Sequence, residues 1–89
     1  VLSPATAIFY AAPTPTEPAY VAVGDRIGVA ATIGQLEAMK IFTPLSLADF
    51  NTEIELYDAD RKYEITRINM ASGQQVNAGD LLFVVKPVQ

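Results

Sequence analysis

The 89-residue chain has no cysteine and no histidine. Without cysteine there is neither a disulfide framework nor thiol chemistry. Without histidine the commonest general base and the commonest metal ligand are both missing. Ser-His-Asp and Cys-His arrangements are therefore excluded, and so are zinc sites built from Cys and His. Positive charge is also scarce. The formal net charge is −4, which repels phosphate, so nucleic acid is not an expected partner. No run of about 18 apolar residues occurs, and no membrane partner is expected. The opening Val1-Leu2-Ser3-Pro4 lacks a basic segment leading into an apolar one and does not read as a signal peptide. A cytoplasmic location is expected, or a plastid stromal one if an upstream targeting segment is missing.

What is present is apolar and strand-like. The hydrophobic fraction is 51%, enough for one domain over residues 1–89 with one modest core. Short apolar or alternating runs are bounded by Pro, Gly, Asp and Asn. They fall at residues 7–10, 20–23, 32–37, 41–47, 52–57, 63–70 and 81–85. No stretch holds a helical period for three turns. Residues 45–50 have room for one helical turn. An all-β fold is expected.

Two stretches interrupt the pattern. Residues 11–19 contain Pro13, Pro15 and Pro18. Proline fixes φ and removes the backbone donor, so this segment cannot join a ladder and should protrude as a semi-rigid loop. Residues 52–68 carry turn-like Asp58-Ala59-Asp60-Arg61 between alternating flanks, which reads as a projecting β-hairpin. The acidic Glu53, Glu55, Asp58 and Asp60 there lack the spacing of a calcium loop, so no metal site is expected.

A degenerate repeat runs at an offset of 49 residues: Gly24-Asp25-Arg26-Ile27 faces Gly73-Gln74-Gln75-Val76, and Ala30-Ala31-Thr32-Ile33 faces Gly79-Asp80-Leu81-Leu82. Two such halves, neither able to bury its apolar face alone, suggest a pseudo-twofold sandwich.

The tetrapeptide Glu37-Ala38-Met39-Lys40 lies where the first half ends. A tight turn there leaves Lys40 solvated, with a long stem ending in a nucleophilic amine. Small Ala38 admits an approaching enzyme, Glu37 is placed to fix the turn, and Met39 offers an adaptable apolar contact. Taken alone, the four residues fit an ordinary hairpin with an exposed lysine better than an attachment site, since exposed lysine is common.

The wider sequence resembles the biotin carboxyl carrier protein family of acetyl-CoA carboxylases, within the biotinyl/lipoyl domain family. That family's attachment motif is Glu-Ala-Met-Lys, here Glu37 to Lys40. The resemblance extends to the opening Ser3-Pro4-Ala5-Thr6-Ala7-Ile8-Phe9-Tyr10, to Val21-Ala22-Val23-Gly24-Asp25-Arg26-Ile27 and to the closing residues 72–82. The proline loop resembles the family's "thumb". The Asp-Lys-Ala usual in lipoyl domains is absent. Departures are Ala7 and Ala30-Ala31 where glycine is usual, Gly34-Gln35 in a strand usually more apolar, and about a dozen residues added before Tyr63.

The resemblance implies a flattened sandwich or barrel of two pseudo-twofold-related four-stranded halves, about eight strands in all, with a thumb; the residues added before Tyr63 give an extra hairpin beyond that pattern. It implies a carrier, not an enzyme: a biotin protein ligase joins biotin to Lys40, a biotin carboxylase loads a carboxyl group, and a carboxyltransferase passes it to an acyl-CoA, expected to be acetyl-CoA in fatty acid synthesis. Glu37, Ala38 and Met39 would serve ligase recognition. Pro13, Thr14, Pro15 and Thr16 of the thumb would lie near the biotin. An unbiotinylated paralogue that binds carboxylase subunits, and a carrier for specialised metabolism such as polyketide synthesis, remain as alternatives.

Overall fold

Alternation along the strands builds two layers. The structure is a computed structural model that describes residues 1–51 and 56–88. Among the described residues seven strands occur: β1 (Ala7–Tyr10), β2 (Arg26–Ile27), β3 (Gly34–Ala38), β4 (Ile41–Leu45), β5 (Tyr63–Ile68), β6 (Gln74–Val76) and β7 (Phe83–Pro87). They form a four-stranded sheet ordered β4-β3-β1-β6 and a three-stranded sheet ordered β2-β5-β7. All named pairings are antiparallel. Among the described residues the one helical turn is a 3₁₀ segment, Leu47–Phe50.

Every second residue faces the other sheet. Ala7 and Phe9 of β1, Gly34 and Leu36 of β3, and Tyr63 and Ile65 of β5 point inward and are buried. Phe9, Ile33, Leu47, Ile65, Val76, Leu82 and Phe83 form the sealed centre. Phe9 and Phe83 meet edge to face across the layers, with ring centroids 5.6 Å apart. The result is a flat body of 37 × 30 × 18 Å, as the all-β sandwich reading requires.

The repeat is visible in the topology. In the first sheet β1 lies between β3 and β6; in the second, β5 lies between β7 and β2. β1, β2 and β3 thus correspond to β5, β6 and β7, and each central strand takes one neighbour from the other half. β4 has no counterpart among the described residues, so the sheets hold four and three strands rather than four each.

Three expectations need adjustment. Residues 20–23 form no strand. Asp25 N–H donates to Ala22 O at 3.0 Å, and Ala22 N–H donates to Asp25 Oδ2 at 2.9 Å. A turn closed in this way cannot also pair in a ladder, and the strand is displaced to β2. The apolar run at 81–85 is shifted by two residues: Leu81 makes only an isolated bridge with Leu2, and β7 continues to Pro87. The second arm of the hairpin read at 52–68 does not project. Tyr63–Ile68 pairs with β7 and β2, because its alternation buries Tyr63 and Ile65 in the core. Residues 52–55 of its first arm lie outside the described residues.

Between them is an ordered loop. The Asn51 side chain donates to Tyr57 O at 2.7 Å and accepts from Tyr57 N–H at 2.8 Å. Asp58 N–H donates to Tyr63 Oη at 2.8 Å, and Val88 N–H donates to Lys62 O at 2.9 Å.

Candidate functional site

β3 and β4 pair from Gly34↔Leu45 to Ala38↔Ile41, which leaves Met39 and Lys40 as a two-residue hairpin loop. Such a loop must turn with the right-handed twist of its strands, and of the two turn types that do so, type I′ needs positive φ at both residues. Met39 has φ 52° and Lys40 φ 65°, the only non-glycine residues with positive φ among those described. Neither is the Asn or Gly that favours this geometry, so the turn carries strain. Glu37 offsets part of it: its Oε1 accepts the Lys40 N–H at 3.1 Å. Ala38, Met39 and Lys40 are all exposed and Glu37 is half-buried. Met39 is 94% exposed.

Lys40 differs from the other lysines by this position. Lys86 Nζ lies 3.8 Å from Glu64 on the second sheet, and Lys62 sits in the loop before β5. Lys40 enters no ion pair among the described residues. A solvated primary amine on a strained, enzyme-accessible bend suits acylation by an external enzyme. Among the described residues no three acidic side chains cluster to hold a metal ion, and Glu53 and Glu55 lie outside them.

The outer face of the first sheet leads from this tip to the proline loop. The register places Phe42 opposite Glu37 and Pro44 opposite Gln35, and Tyr10 opposite Gln35 on the other side. These residues share the outward face. Tyr10 and Phe42 rings lie 5.9 Å apart. The loop is closed at its base by Tyr20 N–H donating to Ala11 O at 2.8 Å and is tied to the β5–β6 turn by Ala11 N–H donating to Ser72 Oγ at 3.0 Å. Inside it Glu17 N–H donates to Thr14 O at 3.3 Å. Gln35, the polar intruder in β3, donates to Pro13 O at 3.4 Å.

Loop and sheet enclose an open groove of about 650 Å³ walled by Tyr10, Phe42, Gln35, Pro13, Thr14 and Pro15 among others. Thr16 stays off that wall, and its hydroxyl lies 3.4 Å from that of Thr14. None of Glu37 to Lys40 lines the groove, and Phe42, the cross-strand partner of Glu37, links the two. Sequence reasoning did not single out Phe42, Tyr10 and Gln35 as wall residues. The signal was the alternation itself, since residues two apart on β3 and β4 share a face.

No family model matches the chain. It is 36% identical over 87 residues to the biotin carboxyl carrier protein of acetyl-CoA carboxylase from Nostoc sp., an alignment covering 98% of this chain and 41% of that protein. It is 29% identical over 85 residues to the chloroplastic protein of the same name from Glycine max, covering 96% of this chain and 28% of that one. The chain spans less than half the length of these relatives.

Proposed function

We propose that the chain is a biotin-accepting carrier domain of an acetyl-CoA carboxylase, with Lys40 as the attachment point. The observation that carries this reading is the exposed Lys40 on a left-handed two-residue turn inside Glu37-Ala38-Met39-Lys40, in a chain similar over almost its whole length to two proteins with that name. In this role a biotin protein ligase presents an activated biotin carboxyl group to the turn. The deprotonated Lys40 amine attacks the acyl carbon, the amide C–N bond forms as the bond to the activating group breaks and that group departs, the surplus proton on nitrogen passes to solvent, and the ammonium charge is lost from the tip. The attached arm then visits a biotin carboxylase and a carboxyltransferase. Tethering replaces two diffusional encounters by two intramolecular ones, so the gain is effective concentration rather than chemistry on this chain.

The groove extends the proposal. Pro44 lies four residues from Lys40, about 13 Å along a strand at ~3.3 Å per residue. An arm folded back over Phe42 would place its ring between the sheet and the loop at Pro13, Thr14 and Pro15. On loading, the ring resonances of Tyr10 and Phe42 should shift; unmoved resonances would remove the loop from the reading.

The decisive experiment is intact-mass measurement after incubation with biotin ligase, ATP and biotin. One biotin should add to the chain and none to Lys40→Ala, although Lys62 and Lys86 remain. A chain that stays unmodified while the ligase loads another acceptor in the same tube would leave an unbiotinylated, subunit-binding module as the better account.

A further inference from the structure

Met39 is a large apolar side chain held almost entirely in water. At 94% exposure it makes no contribution to the core, and its positive φ imposes a backbone cost that glycine or asparagine would avoid. The second methionine, Met70, is half-buried against the core. The chain contains no cysteine and no tryptophan, so nothing softer competes for an oxidant. Oxidation of methionine follows the accessibility of its sulfur. These facts single out one sulfur, directly beside Lys40.

We propose that Met39 is a site of reversible oxidation by peroxide, and that its sulfoxide form slows the acylation of Lys40. The sulfur lone pair attacks one oxygen of hydrogen peroxide and the O–O bond breaks. The departing hydroxide takes up the proton left on the transferred oxygen. Thioether and peroxide become sulfoxide and water, with two electrons passing from sulfur to peroxide. A reductase drawing on a dithiol reverses the step, yielding thioether, disulfide and water.

The effect is local for a structural reason. The turn is set by backbone geometry and by the Glu37 bond to Lys40 N–H, neither of which uses the Met39 sulfur. The sulfoxide therefore leaves the fold intact. An enzyme that reaches Lys40 Nζ must cover the adjoining side chain. It then meets a strong hydrogen-bond acceptor where a pliable apolar group stood, and an acceptor buried without a partner is costly. The consequence for Lys40 rests on the carrier reading above, whereas the selectivity of oxidation does not.

The test treats the whole chain with dilute hydrogen peroxide and locates the added oxygen by peptide mass mapping. Oxygen should appear on Met39 well before Met70. Ligase, ATP and biotin then load the oxidised chain about tenfold more slowly than the untreated one, the scale expected for losing most of one apolar side-chain contact. Methionine sulfoxide reductase with a dithiol restores the rate. Met39→Leu loads at one rate before and after peroxide, and Met39→Gln loads slowly without it. Oxygen appearing first on Met70, or equal loading of oxidised and untreated chains, overturns the proposal. Untreated protein that takes no biotin at all refutes the carrier reading together with the consequence drawn from it, and the mass map still decides which sulfur is oxidised.

Discussion

Ala31 and Asp80 close equivalent turns in the two halves, and only Asp80 returns a side-chain bond. Asp80 N–H donates to Asn77 O at 3.0 Å and its Oδ2 accepts Asn77 N–H at 2.7 Å. Ala31 N–H donates to Gly28 O at 3.3 Å and has nothing to give back. The middle residue differs too: Gly79 has φ 91°, whereas Ala30 is not left-handed. Alanine in place of glycine has changed the type of the turn instead of straining it. Ala31→Asp supplies the missing acceptor for Gly28 N–H, as in local side-chain-to-backbone turns. It should stabilise the chain by about 0.5–1.5 kcal/mol, a rise of several degrees in thermal unfolding. An unchanged or lower midpoint would show that the altered turn cannot accept the bond.

Tyr57 gives the fold an alkaline edge. Burial, and secondarily the neighbouring Tyr63 phenol, raise its pKa above the ordinary value of 10.0. The two rings meet edge to face at 5.3 Å. The folded chain favours the neutral phenol, so unfolding releases a proton at high pH. This stabilisation is complete below 10.0 and is lost as pH rises through the elevated folded value. Denaturant unfolding across the alkaline range should show stability falling, and Tyr57→Phe should flatten that fall. Equal slopes in both proteins would place the alkaline loss elsewhere.

Much of this was legible in the sequence because strand alternation and turn chemistry are local. Ala7 to Tyr10 could be read directly, the run read at Ile41 to Leu47 overran β4 by two residues, and the glycine turns at Gly24 and Gly73 identified the repeat. Tyr20 to Val23 misled because β-rich composition says nothing of which backbone groups a turn has already consumed; the Asp25 carboxylate settled that. The stretch at 63–68 looked like a hairpin arm because period-2 alternation reveals a buried face but not which strand lies opposite. The Lys40 turn was readable as a position, while its two left-handed residues were not, since Met and Lys advertise no such geometry.

Gly34 shows why β3 is less apolar than its role suggests. A Cβ built there would lie 2.8 Å from Phe9 Cε1 and 3.3 Å from Tyr10 O. Phe9 is fully buried and packed against Phe83, so it has nowhere to retreat. The glycine is required by the approach of an aromatic ring, and the backbone on its far side cannot yield. Gly34→Ala should destabilise by about 1–3 kcal/mol, the usual cost of overpacking a core. The near-ultraviolet aromatic signal should change with it as the Phe9–Phe83 contact is displaced. A neutral substitution would mean that the two sheets can separate slightly at no cost.

The hairpin tip holds stability in reserve. Non-glycine residues in the left-handed region cost roughly 1 kcal/mol each. Asn-Gly is the pair that this kind of turn prefers. Met39→Asn with Lys40→Gly should therefore stabilise the chain by about 1–2 kcal/mol while abolishing biotin loading, a trade of function against stability. Glu37 sharpens the test. In the parent chain Glu37→Ala removes the acceptor of Lys40 N–H and should cost about 1 kcal/mol. In the Asn-Gly background the turn forms without that help, so the same substitution should cost less. A double-mutant cycle by denaturant unfolding reads the difference as a coupling energy. Full additivity would mean that Glu37 does not brace the strained turn, and a double variant less stable than the parent would mean that Met39 or Lys40 contributes packing that their exposure does not reveal.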